Sequence, residues 1–112
     1  MIISITSIEL KTVWHFFKLS RLALGIVRQV HQAKGLKKFK KRGLGRMHYT
    51  LTVWESKADM LAFYQSGAHH ESMKASASIA KTISSYTYES TEIPNWTTAK
   101  TLLATNGRHL NF

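Results

Sequence analysis

Cysteine is absent from the 112 residues, so the chain can hold no disulfide, no thiolate metal site and no cysteine nucleophile, and nothing marks an oxidising compartment. Acid is scarce as well: six Asp and Glu stand against sixteen Lys and Arg, a formal charge of +10. Long apolar runs are missing. The opening MIISI has no basic leading region and meets Glu9 and Lys11 before reaching signal length. The stretch VWHFFKLSRLALGIV is interrupted by His15, Lys18 and Arg21, well short of the roughly 20 residues that a membrane span needs. The expectation is a cytoplasmic protein without a membrane partner. Its length is that of one domain, 1–112, with a tail from about 105 that lacks periodicity and is expected to be mobile.

Much of the positive charge lies in KGLKKFKKRGLGR, residues 34–46. A field of this sign attracts polyanions, but a dedicated nucleic-acid surface also interleaves stacking aromatics, and Phe39 alone offers one. Nucleic acid is therefore not the expected partner, and anion binding through residues 37–46 is kept as an alternative.

Residues 2–8 are β-branched and alternate Ile3 and Ile5 against Ser4, Thr6 and Ile8, which predicts a strand. From about Leu10 the period becomes helical. Phe16, Leu19, Ala23, Ile26 and Val30 recur every three or four residues, giving a helix of about 24 residues that Gly35 stops. LKKFKK and MHYTLTVW then form a hairpin through the glycines of RGLGR, the lysine-rich arm suiting a sheet edge. Ser56 with Asp59 three residues on predicts a helix from Lys57 to Gly67, and a second helix is expected from about His69 to Ala80. A strand over 83–90 and a short helix capped by Asn95 complete the order.

Strand, helix, hairpin, broken helix, strand is the ferredoxin-like βαββαβ pattern of the α+β class. It predicts a four-stranded antiparallel sheet with its helices on one face. Tyr49, Leu51 and Val53 suit the helix side, leaving His48, Thr50, Thr52 and Trp54 on the other with Ser4, Thr6, Tyr86 and Tyr88. One small chain has nothing more to cover that face, so a homodimer closing sheet on sheet is expected, with a small-molecule cleft.

The run YTLTVWESKADMLAFYQSGAHHESM and the later IPNWTTAKTLL resemble a family of bacterial dimeric α+β barrels. That family is related to spheroidene monooxygenase and, more distantly, to the antibiotic-biosynthesis monooxygenases. The resemblance is carried by Trp54-Glu55 at a strand end, by Met60, Phe63, Gly67, His69 and Met73 in a helix pair, and by Pro94, Trp96 and Ala99 in a closing motif. His69 is followed by His70 where relatives have arginine, and Asn95 stands in a serine position. The likeness implies a monooxygenase-like protein whose ligand is a hydrophobic or aromatic small molecule, and haem is a cofactor that it allows. On this reading His69 is the catalytic or ligating residue. His48, Thr50, Trp54, Phe63, Met73 and Tyr86 line the pocket.

The residues themselves also admit structural roles. His69 can finish a helix, and Trp54, Trp96 and Phe63 can be core. His69 and His70 point about 100 degrees apart on a helix, so they do not chelate one metal, and no metal site is expected. No phosphate loop, serine elbow or carboxylate pair occurs. A non-catalytic binding module is the alternative to an enzyme.

Overall fold

The computed structural model describes residues 1–65, 75 and 78–111. Strand β1 (Ile2–Leu10) lies at the centre of a five-stranded antiparallel sheet, between β3 (Met47–Trp54) and β4 (Ala80–Glu89). The edge strand β2 (Leu36–Leu44) pairs with β3, and β5 (Arg108–Asn111) with β4, giving the order β2-β3-β1-β4-β5. Helix α1 (Phe16–His31) follows a 3-10 turn at Val13–His15, α2 (Lys57–Tyr64) follows β3, and α3 (Trp96–Asn106) precedes β5. The ferredoxin-like α+β architecture expected from the element order is the one observed.

The helix starts obey their caps. Ser56 Oγ accepts from Asp59 N–H at 3.2 Å and donates to Asp59 Oδ2 at 3.1 Å, so α2 begins at Lys57. Asn95 Oδ1 accepts from Thr98 N–H at 2.8 Å and opens α3. The β2–β3 turn is Gly45-Arg46, with positive φ (60°) at the glycine only, the pattern of a type II′ turn.

Several boundaries differ from expectation. The first helix has 16 residues rather than about 24, because β1 runs on to Leu10. Leu10 is fully buried and its N–H bonds to the Arg46 carbonyl, while that of Lys11 bonds to the Ile79 carbonyl. These bonds commit residues 10–11 to the sheet end. β4 begins at Ala80, so the expected helix cannot extend there, and the rest of that segment, with His69 and Met73, lies outside the described residues. The tail is not loose: residues 108–111 add a fifth strand.

The largest correction concerns which face is which. Ile3, Ile5, Leu51 and Val53 are buried not under α1 and α2 but under α3, against Ala99 and Leu103. Tyr49, Tyr86, Tyr88 and Trp96 pack around that cluster. The opposite face carries Trp54, fully buried with Val30 of α1 and Met60 and Phe63 of α2. Alternation sorts β1 and β3 into the two expected sets, but Tyr86 and Tyr88 of β4 lie with Ile5 and Ile3 rather than with the hydroxyls, and α3 supplies the apolar cover expected of α1 and α2. The face expected to be bare is therefore covered at its centre by the chain's own helix.

Leu51→Ala is expected to cost about 2–5 kcal/mol in urea unfolding, because it opens a cavity between β3 and α3, whereas Leu24→Ala on the exposed side of α1 shifts stability by less than about 0.5 kcal/mol. Equal effects would contradict this facing.

Candidate ligand cleft

On the α1 side, β1, β3 and β4 bring six hydroxyls into two rows across the sheet. Thr87, Ser4 and Thr52 align in one row, and Ser85, Thr6 and Thr50 in the other. The first row is internally satisfied: Ser4 Oγ lies 2.6 Å from Tyr64 Oη, Thr87 Oγ1 donates to Ser4 Oγ at 3.4 Å, and Trp54 Nε1 donates to Thr52 Oγ1 at 2.9 Å. In the second row the side chains of Thr6 and Thr50 make no hydrogen bond to protein among the described residues, and both line a cleft of about 750 Å³ beneath α1.

Helix α1 forms the roof with Phe16, Leu19, Ala23 and Val27, and Ile8 and His48 continue the floor. Ala23 and Ser20, small residues on the inward side of α1, keep the helix from filling this space. Arg21 and Lys41 stand at the rim. The result is an aliphatic chamber with two hydroxyls on its floor that have no partner among the described residues, and with cations at its edge.

His48 is held from three sides. Its ring stacks on Phe16, with centroids 5.4 Å apart and planes at 25°, and Nε2 donates to the Gly45 carbonyl at 3.2 Å. A carbonyl only accepts, so the proton is on Nε2. Nδ1 sits over Gly43, its partner across the strands, where a Cβ would collide with it. Glycine at 43 thus serves close approach rather than the turn.

The expected site residues separate. His48 and Thr50 line the cleft. Trp54 and Phe63 are on the same face but inside the core, ring centroids 5.4 Å apart. Tyr86 is on the opposite face, since it pairs with Ile5 and not with a hydroxyl-bearing position. His69 and Met73 lie outside the described residues. The contribution of α1, above all Leu19, Ala23 and Val27, was missed. The signal was present in the inward helical stripe, where an alanine faces threonines rather than a large apolar partner.

The α3 face has an aromatic cluster of its own. Tyr86 and Tyr88 stack at 5.3 Å and 17°, Tyr49 meets Trp96 at 6.4 Å, and Lys100 Nζ lies 4.9 Å from the Tyr49 centroid. Burial, and after it the neighbouring Tyr86 hydroxyl, raises the Tyr88 phenol above its ordinary 10.0. Among the described residues no group of three or more His, Asp or Glu could hold a metal ion, and no helix is long and apolar enough to cross a membrane.

The residues of the closing motif prove structural: Asn95 caps α3, Ala99 is in the core, and Trp96 packs on Tyr49. Trp54 is core and Glu55 pairs with Lys37 at 3.1 Å. No protein-family model matches the chain, and no curated protein matches it in sequence. Solved structures do share its fold. A candidate antibiotic biosynthesis monooxygenase from Deinococcus radiodurans superimposes with a TM-score of 0.73 at 16% identity, over 85% of this chain and 97% of that one. A second such candidate, from Nitrosomonas europaea, gives 0.74 at 12% identity over 82% and 100%. A conserved protein from Methanosarcina mazei Go1 gives 0.73 at 11% over 79% and 90%. At these identities the likeness establishes the antibiotic-biosynthesis-monooxygenase fold and leaves activity to the site.

The raised Tyr88 value has a defined consequence. The folded state favours the neutral phenol, so this stabilisation is complete below pH 10 and is lost as pH rises through the higher folded value. The urea midpoint is expected to fall in that alkaline range, and to fall less steeply in Tyr88→Phe.

Proposed function

We propose that this chain is a monooxygenase-like protein that takes a hydrophobic or aromatic small molecule into the cleft between α1 and the sheet. The observation that carries the reading is the aliphatic chamber of about 750 Å³ with Thr6 and Thr50 on its floor. Such a lining rewards the burial of a ring system, and two threonine hydroxyls without partners among the described residues orient a phenol or carbonyl on it. Oxidation of the bound molecule is the fate suggested by the structural neighbours described as monooxygenases. The narrower kinship with spheroidene monooxygenase rests on the motifs at residues 54–73 and 94–99.

The non-catalytic alternative has a specific observation in its favour. Nε2 of His48, the imidazole at the cleft, is taken by the Gly45 carbonyl, so only Nδ1 is left to accept a proton, and it lies against the Gly43 backbone. For the same reason the described lining is a poor fit for haem: the one unbonded nitrogen of His48, Nδ1, lies against the Gly43 backbone. Haem binding would rest on His69 alone. Titration with hemin decides this, a Soret shift that His69→Ala abolishes supporting it and no shift excluding it.

The cleft itself is tested with a polycyclic phenol. At a hundredfold excess over Kd the ligand should add about 2.7 kcal/mol to stability, a rise of several degrees in Tm. Ala23→Phe, which fills the roof, should remove that rise while the free protein still melts cooperatively. Oxygen uptake with the same phenol separates turnover from binding. If no phenol shifts Tm and Ala23→Phe changes nothing, the cleft is not a ligand site.

A homodimer belongs to this reading too. The Tyr86–Tyr88 stack is only partly covered by α3, and β5 leaves an exposed edge beside it. Sedimentation at micromolar concentration should give twice the chain mass, and a well-folded species of one chain mass would remove the dimer while leaving the cleft intact.

A further inference from the structure

Among the described residues eight large apolar side chains are exposed, and five of them fall between Val13 and Leu24. Trp14 is 75% exposed, Phe17 68% and Leu24 65%. They are not scattered. Phe17, Arg21, Leu24 and Arg28 follow one another at intervals of four, three and four, so they share the outward side of α1, with Trp14 one turn before. This stripe therefore alternates large apolar groups with arginines, and Lys18 stands beside it, its Nζ donating to Ser78 Oγ at 2.9 Å.

The charge around it is of one sign. No Asp or Glu occurs from residue 10 to residue 54, a stretch that holds eleven of the sixteen Lys and Arg. The edge strand β2 next to α1 adds Lys41, which pairs with Thr50 and so shares the α1 face, while Lys38, Lys40 and Arg42 alternate to the other face; none of the four has a carboxylate in ion-pair range among the described residues. His31 of α1 and Phe39 of β2, rings 5.7 Å apart, join the two elements.

An outward helix face that mixes Trp, Phe and Leu with arginines, beside a lysine-rich edge, has the composition of an interfacial element. A second copy of this chain fits poorly, since two-fold pairing of the stripe brings two such cationic surfaces together. We propose that the outward face of α1, with the turn before it and the adjoining β2 edge, docks on an anionic lipid surface. Trp14, Phe17 and Leu24 enter the headgroup layer, while Arg21, Arg28 and Lys41 of β2 meet phosphates. Phe16, Arg21 and Leu24 also line the cleft, so docking turns its mouth toward lipid. That last consequence rests on the ligand reading above; the docking does not.

The test is flotation of the full chain with vesicles of phosphatidylcholine containing phosphatidylglycerol, and with phosphatidylcholine alone. Binding is expected to the first and not the second, with a blue shift in emission that is read in Trp96→Phe, where Trp14 is the exposed tryptophan and Trp54 is already buried. Trp14→Ser with Phe17→Ser should weaken flotation by about tenfold or more, and Arg21→Gln with Arg28→Gln should weaken partitioning roughly thirtyfold. All four sites are exposed, so an unchanged Tm confirms that the variants fold. No flotation with either vesicle overturns the proposal. So does unchanged partitioning of both double variants, binding to single-stranded RNA in place of vesicles, or a change of oligomeric state in Trp14→Ser/Phe17→Ser, which would make a second copy the occupant. The phenol-induced Tm rise is read separately in Trp14→Ser/Phe17→Ser, so failure of docking and failure of the cleft are distinguishable.

Discussion

The central strand β1 must satisfy two different layers at once. Its odd positions, Ile3 and Ile5, are fully buried with Leu51, Val53 and α3. Its even positions, Ser4 and Thr6, face α1 and α2 with the threonines of β3. A shift of one residue in pairing would exchange the two sets, putting hydroxyls under Leu103 and isoleucines over the cleft. Register is therefore strongly fixed. The site follows from it, because the floor of the cleft is one face of the strand that holds the core on the other.

The same alternation explains why the space under α1 is open at one end and closed at the other. Burying a hydroxyl without a partner costs about 1–3 kcal/mol. Ser4 and Thr52 are buried, and both have partners, Tyr64 and Trp54. Thr6 and Thr50 have none among the described residues and are only partly buried, so they stay where solvent or a ligand can reach them. Val30, Trp54 and Met60 seal one end of the helix–sheet interface, while small residues at Ser20 and Ala23 leave the other ajar. The cavity is a consequence of polar pairing as much as of side-chain size.

Periodicity made most of the fold legible. The alternations at 2–8 and 47–54, the capped starts at Ser56 and Asn95, and the edge placement of the lysine strand all took the form expected. What a period of two cannot supply is the identity of the layer on each side. Leu51 and Val53 share a face by sequence, but whether α1 or α3 covers it depends on where an eleven-residue helix folds back. Assigning that helix no layer inverted the faces, and Tyr86 was misplaced for a separate reason: Ile83, Ser85 and Thr87 make no clear apolar row that would fix the facing of β4. The fifth strand was hidden for a related reason: RHLN has no alternation of its own and is a strand because β4 offers it an edge, with Ser84 Oγ and His109 Nδ1 2.5 Å apart. Of the site, His48 and Thr50 were readable as one strand face, whereas the α1 roof looked like ordinary core.

The basic segment takes on a different meaning once it is placed. On an edge strand, a row of lysines keeps other strands from adding to the sheet, which accounts for the charge without any ligand. That reason applies to Lys38, Lys40 and Lys41, which lie in the ladder. It does not reach Arg21 and Arg28, which sit on a helix with no edge to protect, nor does it explain why Trp14 and Phe17 remain in water between them. A folded chain gains nothing by exposing such rings unless another surface receives them. The helix, not the lysine-rich hairpin that dominates the sequence, is where the charge calls for a partner.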